Sequence, residues 1–250
     1  MEELEHTEEQ PIKDFNSLKE LTDARIGLGR AGTSIPTKAM LDFKLAHAQA
    51  RDAVYHPLAL ASIQNKLTSL NLPSTTLHSK AEDRIQYLQR PDLGRKLNQA
   101  SVIALNNEIK KADILICIAD GLSAIAIELN AFEVIKLLAP KLKQVNLSLA
   151  TICLVLQGRV AIADHIGEIL NAKLSIIFIG ERPGLSAADS MGAYLTYNPK
   201  IGLTDDSRNC ISNIRKGGLS AELAASKIFY LIQEAFSKGT SGIALKDEQE

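Results

Sequence analysis

Small and polar residues follow three apolar segments of strand length, in positions where they could form a ligand site. Residues 120–123 (DGLS) follow the first segment, residues 157–160 (QGRV) the second and residues 180–184 (GERPG) the third. Asn209 and Cys210 precede a further short apolar segment. Open α/β sheets bind ligands outside the carboxyl ends of their strands. Glycine, aspartate and proline also build ordinary turns, but three polar turns of this kind favour a site.

The sequence contains no recognisable catalytic set. A G-x-S-x-G elbow, a Walker A loop, an H-E-x-x-H helix and paired-cysteine zinc spacing are all absent, and the five histidines are scattered. Cys117 and Cys153 lie in the middle of apolar segments, where cysteine is usually an inert core residue. Cys210 lies among polar residues, which places it near the surface or at a site. The residues alone therefore indicate an α/β ligand-binding protein.

Residues 27–32 (GLGRAG) match the G-x-G-x-x-G pattern of dinucleotide-binding loops. Such a loop needs a strand before it and a helix that begins at it, so that the pyrophosphate meets the helix N-terminus. Residues 23–26 (DARI) are too polar for a central strand, and Pro36 delays the helix beyond the glycines. We interpret the segment as a flexible or tightly turned loop. A stand-alone NAD-dependent oxidoreductase that uses Gly27–Gly32 is the alternative interpretation.

Three continuous apolar runs alternate with segments of helical periodicity. Such runs are typical of parallel strands that are buried on both faces by helices. The pattern therefore predicts an α/β fold, a Rossmann-like mostly parallel sheet with flanking helices, preceded by a small helical N-terminal domain. The predicted strands are 112–119, 149–156 and 174–179, with edge strands at 193–197 and 211–214, and the predicted helices are 123–138, 160–170 and 220–238.

One amphipathic helix is predicted in the N-terminal part, from a cap at Ser34 or Thr37 to about Tyr55. Apolar residues recur along it every three or four positions, so we expect one buried stripe. That stripe consists of Met40, Phe43, His47, Ala50 and Val54. The predicted organisation is a flexible tail (1–22), a helical N-terminal domain (23–64) and an α/β domain (65–250).

The composition is that of an ordinary globular chain and excludes several function classes. With 28 Lys and Arg against 29 Asp and Glu, the chain has no net positive charge to attract nucleic acid or anionic membranes. No uncharged stretch is long enough to span a bilayer. The acidic N-terminus does not resemble a signal peptide, and the cysteine count is odd, so we expect reduced thiols in the cytoplasm.

The chain resembles the small (light) subunits of ethanolamine ammonia-lyases. The matching stretches follow the family's order and extend from residue 25 to about residue 242. GERPGL and R-x-C-I-S-N-I are the most distinctive of them. The stretches are IGLGRAG (26–32), LDFKLAHAQARDAV (41–54), RPDLGRKL (90–97), ADGLSA (119–124), GRVAIADHIGEIL (158–170), GERPGLS (180–186), YLTYNP (194–199) and RNCISNI (208–214).

This resemblance implies an adenosylcobalamin-dependent enzyme that converts ethanolamine to acetaldehyde and ammonia by a radical mechanism. In that family a large barrel subunit holds ethanolamine, and the small subunit closes over the cobalamin at the subunit interface. No catalytic residue is then expected in this chain. The cytoplasm is the implied location, with the lumen of an ethanolamine-utilisation microcompartment as a further option. A scaffold that merely caps a partner is a third alternative.

The cobalamin contacts that the resemblance implies fall on Val160 in GRVAI, Glu181 in GERPG and Cys210 in RNCIS. All three lie in the polar segments described above. No Asp-x-His-x-x-Gly motif is present, so the chain is expected to supply no cobalt ligand. Corrin carries a rim of carboxamides, to which Glu181 could offer an acceptor and Val160 a backbone N–H. We therefore expect the three residues to converge at one edge of the sheet.

Overall fold

The structure is a computed structural model that describes residues 18–19, 21–22, 24–108 and 111–246. The described backbone divides into two compact units, one within residues 1–49 and the other within residues 50–250. The division into 1–22, 23–64 and 65–250 stays a prediction, and most of residues 1–22 lie outside the described part.

In its described part, the first unit consists of a loop and most of helix α1 (Thr37–Tyr55). Gly27, Gly29 and Gly32 all have positive φ, and Ala31 and Ser34 exchange two backbone hydrogen bonds in a tight turn. The described residues before this loop form no strand, and α1 begins five positions after Gly32. The surroundings that a dinucleotide-binding loop requires are therefore missing from the described residues.

The bounds of α1 confirm the predicted helix, but the buried stripe predicted along it is wrong. Phe43 is 42% exposed and Met40 39%, and His47 is also exposed. Ala50 and Val54 are half-buried, and the buried residues of the helix are Ala46 and Ala53. The spacing correctly identifies an apolar helix face. It does not reveal whether this chain also supplies the surface that covers that face.

The second unit contains the six-stranded sheet and the helices that pack on it. The three central strands confirm the prediction, with ends that shift by up to three residues. In chain order the elements are α2 (Leu60–Ser69), β1 (Ser74–His78), α3 (Arg84–Gln89), α4 (Gln99–Asn106), β2 (Ile114–Ala119), α5 (Ala124–Gln144), β3 (Ile152–Leu156), α6 (Ile162–Leu170), β4 (Leu174–Gly180), β5 (Met191–Tyr197), β6 (Arg208–Ile214) and α7 (Ala221–Lys238).

Side chains and glycines set the ends of the two longest of these helices. Ser123 caps α5 by accepting a hydrogen bond from the Ala126 N–H, and α7 ends at Gly239, which adopts the left-handed conformation. The helix α5 continues to Gln144, beyond its predicted end at residue 138, although Pro140 lies within it. Its buried face continues to Leu142, so core packing outweighs the hydrogen bond that Pro140 cannot donate.

The strands form one six-stranded sheet in the order β1-β3-β2-β4-β5-β6. The first four strands in chain order are parallel, whereas β5 runs antiparallel to both β4 and β6. Two expectations need correction. The strand β1 was not predicted because its sequence, STTLH, is polar and it lies at an edge. The strand β5 was predicted at an edge, but it lies between β4 and β6.

Helices cover both faces of the sheet, which confirms the predicted α/β class. Alternate β2 residues point to opposite faces: Ile116 packs with α5 and α7, whereas Cys117 packs with α4 and α6. The chain that leaves β2 therefore enters a helix on one face, and the chain that leaves the neighbouring β3 enters a helix on the other. Loops that diverge in this way open a crevice at the carboxyl ends of the strands.

Candidate functional site

A pocket of about 440 Å³ lies at the carboxyl ends of β2, β3 and β4. Its lining includes Tyr87, Leu122, Arg159, Val160, Glu181 and Tyr194. A larger cavity of about 760 Å³ lies at the amino ends of the strands, among Leu72, Lys143 and Leu149. The smaller pocket is the candidate site, because it brings together two of the sequence-predicted residues and the diverging loops.

Asp120 ties the two loops at the base of this site together. Its carboxylate accepts hydrogen bonds from the backbone N–H groups of Gly121 (2.9 Å), Gln157 (2.9 Å) and Gly158 (3.2 Å). The side chain is buried, and this burial raises the pKa of Asp120 against the opposing effects of these N–H groups and Arg84. Since its oxygens already face three donors, Asp120 serves to hold the loops in place.

The loops after β2 and β4 approach each other with backbone alone. The Leu122 N–H donates to the Gly180 carbonyl at 2.9 Å. A Cβ on Gly180 would lie 2.0 Å from the Ser123 carbonyl oxygen, and one on Gly121 would lie 2.3 Å from the Gly180 oxygen. Neither position can hold a side chain without a shift of the backbone. This close approach fixes where the next residue, Glu181, leaves the sheet.

Glu181 lines the pocket and is held through one carboxylate oxygen. Its Oε2 accepts hydrogen bonds from the Ser190 hydroxyl and, at 3.4 Å, from the Asn213 N–H. Its backbone N–H donates to the Ser190 carbonyl at 2.9 Å. The described residues contain no hydrogen bond to Oε1 and no ion pair between Glu181 and Arg182. Glu181 is thus anchored through one oxygen and can accept from a ligand with the other.

Val160 lies in the turn that leads into α6. Its carbonyl accepts a hydrogen bond from the Ala163 N–H at 3.2 Å, and its side chain is half-buried. Within the described part of the chain, the Val160 N–H donates no hydrogen bond. The residue can therefore offer a ligand both an apolar contact and a backbone donor.

Cys210 on β6 lies directly opposite Tyr194 on β5. The two side chains share a hydrogen bond, and Tyr194 also lines the pocket. Burial raises the pKa of the Cys210 thiol, the Tyr194 hydroxyl lowers it, and the charge of Glu181 raises it further. The structure therefore places Val160 and Glu181 in the lining of one pocket, and it connects Cys210 to that pocket through the side chain of Tyr194. Their role in cofactor binding stays a prediction.

The sequence did not predict a stack of two arginines around Tyr87. The buried ring of Tyr87 lies 4.7 Å from the guanidinium carbon of Arg84 and 4.1 Å from that of Arg159. The hydroxyl donates to the Gly158 carbonyl at 3.2 Å, and burial raises the pKa of Tyr87 to about 12. The only sequence signal is the three-residue spacing of Arg84 and Tyr87 on α3, which is too short to show periodicity.

Two further observations define what the described residues can do chemically. No three histidine, cysteine or acidic side chains among them lie close enough together to hold a metal ion. None of the helices they form has the length and apolarity that a membrane span requires. The fold and the site together define an α/β protein that presents a ligand pocket at the carboxyl edge of its sheet.

Comparisons with known proteins give a more specific assignment. The sequence pattern of the family described as ethanolamine ammonia-lyase light chain matches residues 12–246. The ethanolamine ammonia-lyase small subunit of Pseudomonas fluorescens is 50% identical over 242 residues, 95% of this chain and 87% of the relative. That of Pseudomonas putida strain GB-1 is 47% identical over 251 residues, 99% of this chain and 92% of the relative. This chain belongs to the ethanolamine ammonia-lyase light chain family.

Proposed function

We propose that this chain is the small subunit of an adenosylcobalamin-dependent ethanolamine ammonia-lyase, and that it binds the cofactor at the interface with a large subunit. The complex would convert ethanolamine to acetaldehyde and ammonia in ethanolamine catabolism. The observation that carries the proposal is the pocket lined by Val160 and Glu181, with Cys210 hydrogen-bonded to Tyr194 in the same lining. The names of the relatives, small subunits of this lyase, support the existence of a large partner.

The residues of the pocket fit a corrin ring in their chemistry. A corrin presents a flat apolar body with a rim of carboxamides, each of which both donates and accepts hydrogen bonds. Glu181 Oε1 can accept from an amide N–H, and the Val160 N–H can donate to an amide oxygen. The pocket is smaller than a whole cobalamin, as expected where two subunits share the cofactor.

In this proposal the chain binds the cofactor, orients it and shields it from water. Bound adenosylcobalamin supplies a carbon-centred radical for hydrogen abstraction, which protein side chains cannot supply. Glu181 and Val160 orient the rim of the ring, and the Tyr194–Cys210 pair provides a surface that excludes water. His165 does not line this pocket, and its Nδ1 accepts a hydrogen bond from the Leu97 N–H at 3.1 Å. Ethanolamine would be held mainly by the large subunit.

The test is to mix the purified chain with its large subunit and adenosylcobalamin and to measure acetaldehyde. We expect product only when both chains and the cofactor are present. Turnover by the large subunit alone would instead support a capping scaffold. Tight NAD(H) binding that Gly29→Val abolishes would support the oxidoreductase alternative. The cytoplasmic location and the placement within a microcompartment stay predictions of the sequence.

A further inference from the structure

The charge of Arg159 is not balanced by the described residues. Arg159 forms no ion pair with them, and the buried carboxylate of Asp120 pairs with Arg84 and accepts from three backbone N–H groups. Of the five guanidinium donors, only one on Nη2 has an acceptor, the Tyr87 carbonyl at 3.0 Å. Nε is buried without any partner in the described chain. A cation at the wall of a ligand pocket is thus available to an anion.

The Arg159 side chain is also held in position before any ligand arrives. Its guanidinium stacks on Tyr87, and its backbone N–H donates to the Gly94 carbonyl at 2.8 Å. A Cβ on Gly94 would lie 2.7 Å from Arg159 Cγ, so the absence of a side chain there leaves room for the arginine stem. An arginine fixed in this way loses little conformational entropy when it binds a ligand.

We propose that Arg159 is a further cofactor-binding residue, and that it holds the anionic phosphodiester of the cobalamin nucleotide tail. This inference rests on the proposed function. A guanidinium matches the geometry of two phosphate oxygens and binds phosphate more strongly than it binds a neutral amide. The peripheral amides of cobalamin are neutral, so its phosphodiester is the group that matches the charge of Arg159.

The test compares two cofactors in the complex with the large subunit. Adenosylcobinamide keeps the corrin amides but lacks the nucleotide tail and its phosphate. Arg159→Gln should raise the dissociation constant of adenosylcobalamin by roughly 10- to 100-fold, the range for hydrogen bonds between charged groups. It should change that of adenosylcobinamide by less than about 3-fold. For Arg159→Lys, the dissociation constant of adenosylcobalamin should lie between those of wild type and Arg159→Gln. Lysine keeps the positive charge but cannot bind two phosphate oxygens at once as a guanidinium does.

Absorbance titration measures these dissociation constants and does not require the enzyme to turn over substrate. Thermal melting shows whether each variant is folded. Arg95→Gln, at an exposed arginine outside the pocket lining, is the matched control and should leave both constants unchanged. If Arg159→Gln does not fold, the two dissociation constants are measured for the wild-type complex at increasing salt concentration. Added salt should then weaken the binding of adenosylcobalamin more than that of adenosylcobinamide.

Equal weakening of both cofactors, or of neither, would overturn the assignment to the phosphate while leaving the proposed function intact. A wild-type complex that binds no cobalamin would refute both proposals at once.

Discussion

Arg208 Nη1 lies 2.7 Å from Asp164 Oδ1, and both side chains are only 2% exposed. The pair joins β6, which carries Cys210, to α6, which follows Val160. Arg208 also donates to the Thr196 hydroxyl at 3.3 Å and to the Leu203 carbonyl at 3.1 Å. Two of the three candidate cofactor residues are thus held relative to each other by one buried ion pair.

Breaking this pair should destabilise the fold strongly. Asp164→Asn leaves the Arg208 charge buried without its carboxylate, so we expect the free energy of unfolding to fall by about 3–5 kcal/mol. Urea denaturation measures this change. Asp205→Asn is the matched control, because Asp205 also contacts Arg208, at 3.3 Å, but is 91% exposed. It should cost less than about 1 kcal/mol. Similar losses in both variants would contradict a special role for the buried pair.

Asp113 should make the chain sensitive to acid. Partial burial alone would raise the pKa of this carboxyl, but Lys173 at 2.8 Å and two hydrogen bonds from Ser148 lower it to about 2. Because the pKa is lower in the folded state, the stabilisation is present above the unfolded value, near 3.8. It is lost as the pH falls towards about 2.

Asp113→Asn should remove this acid-dependent contribution, roughly 1–2 kcal/mol after allowance for partial exposure. Unfolding by urea at a series of pH values between 2 and 6 measures it. Asp92→Asn provides the comparison, because Asp92 pairs with Arg90 at a fully exposed site that water and salt screen. Parallel pH profiles for wild type and Asp113→Asn would show that the pair contributes nothing.

Glu181→Gln should weaken cobalamin binding while leaving ethanolamine binding unchanged. The amide keeps the size of the side chain but loses the charge that strengthens its hydrogen bonds. We expect the cobalamin dissociation constant to rise by roughly 5- to 30-fold. The Michaelis constant for ethanolamine should barely move. Glu133→Gln, at an exposed glutamate on α5, controls for a general effect of lost charge. A drop in melting temperature with unchanged cobalamin affinity would assign Glu181 a structural role instead.

Cys210 should be alkylated by iodoacetamide, whereas Cys117 and Cys153, both 0% exposed, should not. Because burial raises the pKa of the Cys210 thiol, the reaction should be slow at pH 7 and accelerate towards pH 9. Saturating adenosylcobalamin should slow the reaction further in the assembled complex. Mass spectrometry after a timed reaction measures all three rates. Identical rates with and without cofactor would place Cys210 outside the binding site.

The parts of the fold that could be predicted from the sequence are those in which local pattern and burial coincide. Residues 174–179 form a continuous apolar run because β4 is buried on both faces, and the run was recognised for that reason. The polar strand β1 has no such signal in its own sequence. It is extended because it pairs with the neighbouring strand β3. The apolar face of α1 was recognised, but its exposure depends on surfaces that spacing does not encode.

The candidate site likewise contains residues that could be predicted from the sequence and residues that could not. Val160 and Glu181 lie in loops that follow predicted strands. Sheet geometry pointed to those loops, and the resemblance to the family singled out the two residues within them. Arg159 was part of the same loop, but its stacking on Tyr87 joins residues 72 positions apart. No periodicity links two such positions. Contacts of this kind arise only when the sheet brings distant loops together.

The approach of Gly121 to Gly180 restricts how this chain could acquire new ligand preferences. Where two main chains meet without room for a Cβ, substitution cannot alter the shape or polarity of the pocket without displacing the loops themselves. Variation that changes ligand choice must therefore accumulate at the rim, at positions such as 159, 160, 181 and 194. A library randomised at those rim positions should yield folded variants with altered selectivity, whereas randomising 121 or 180 should yield mostly misfolded chains.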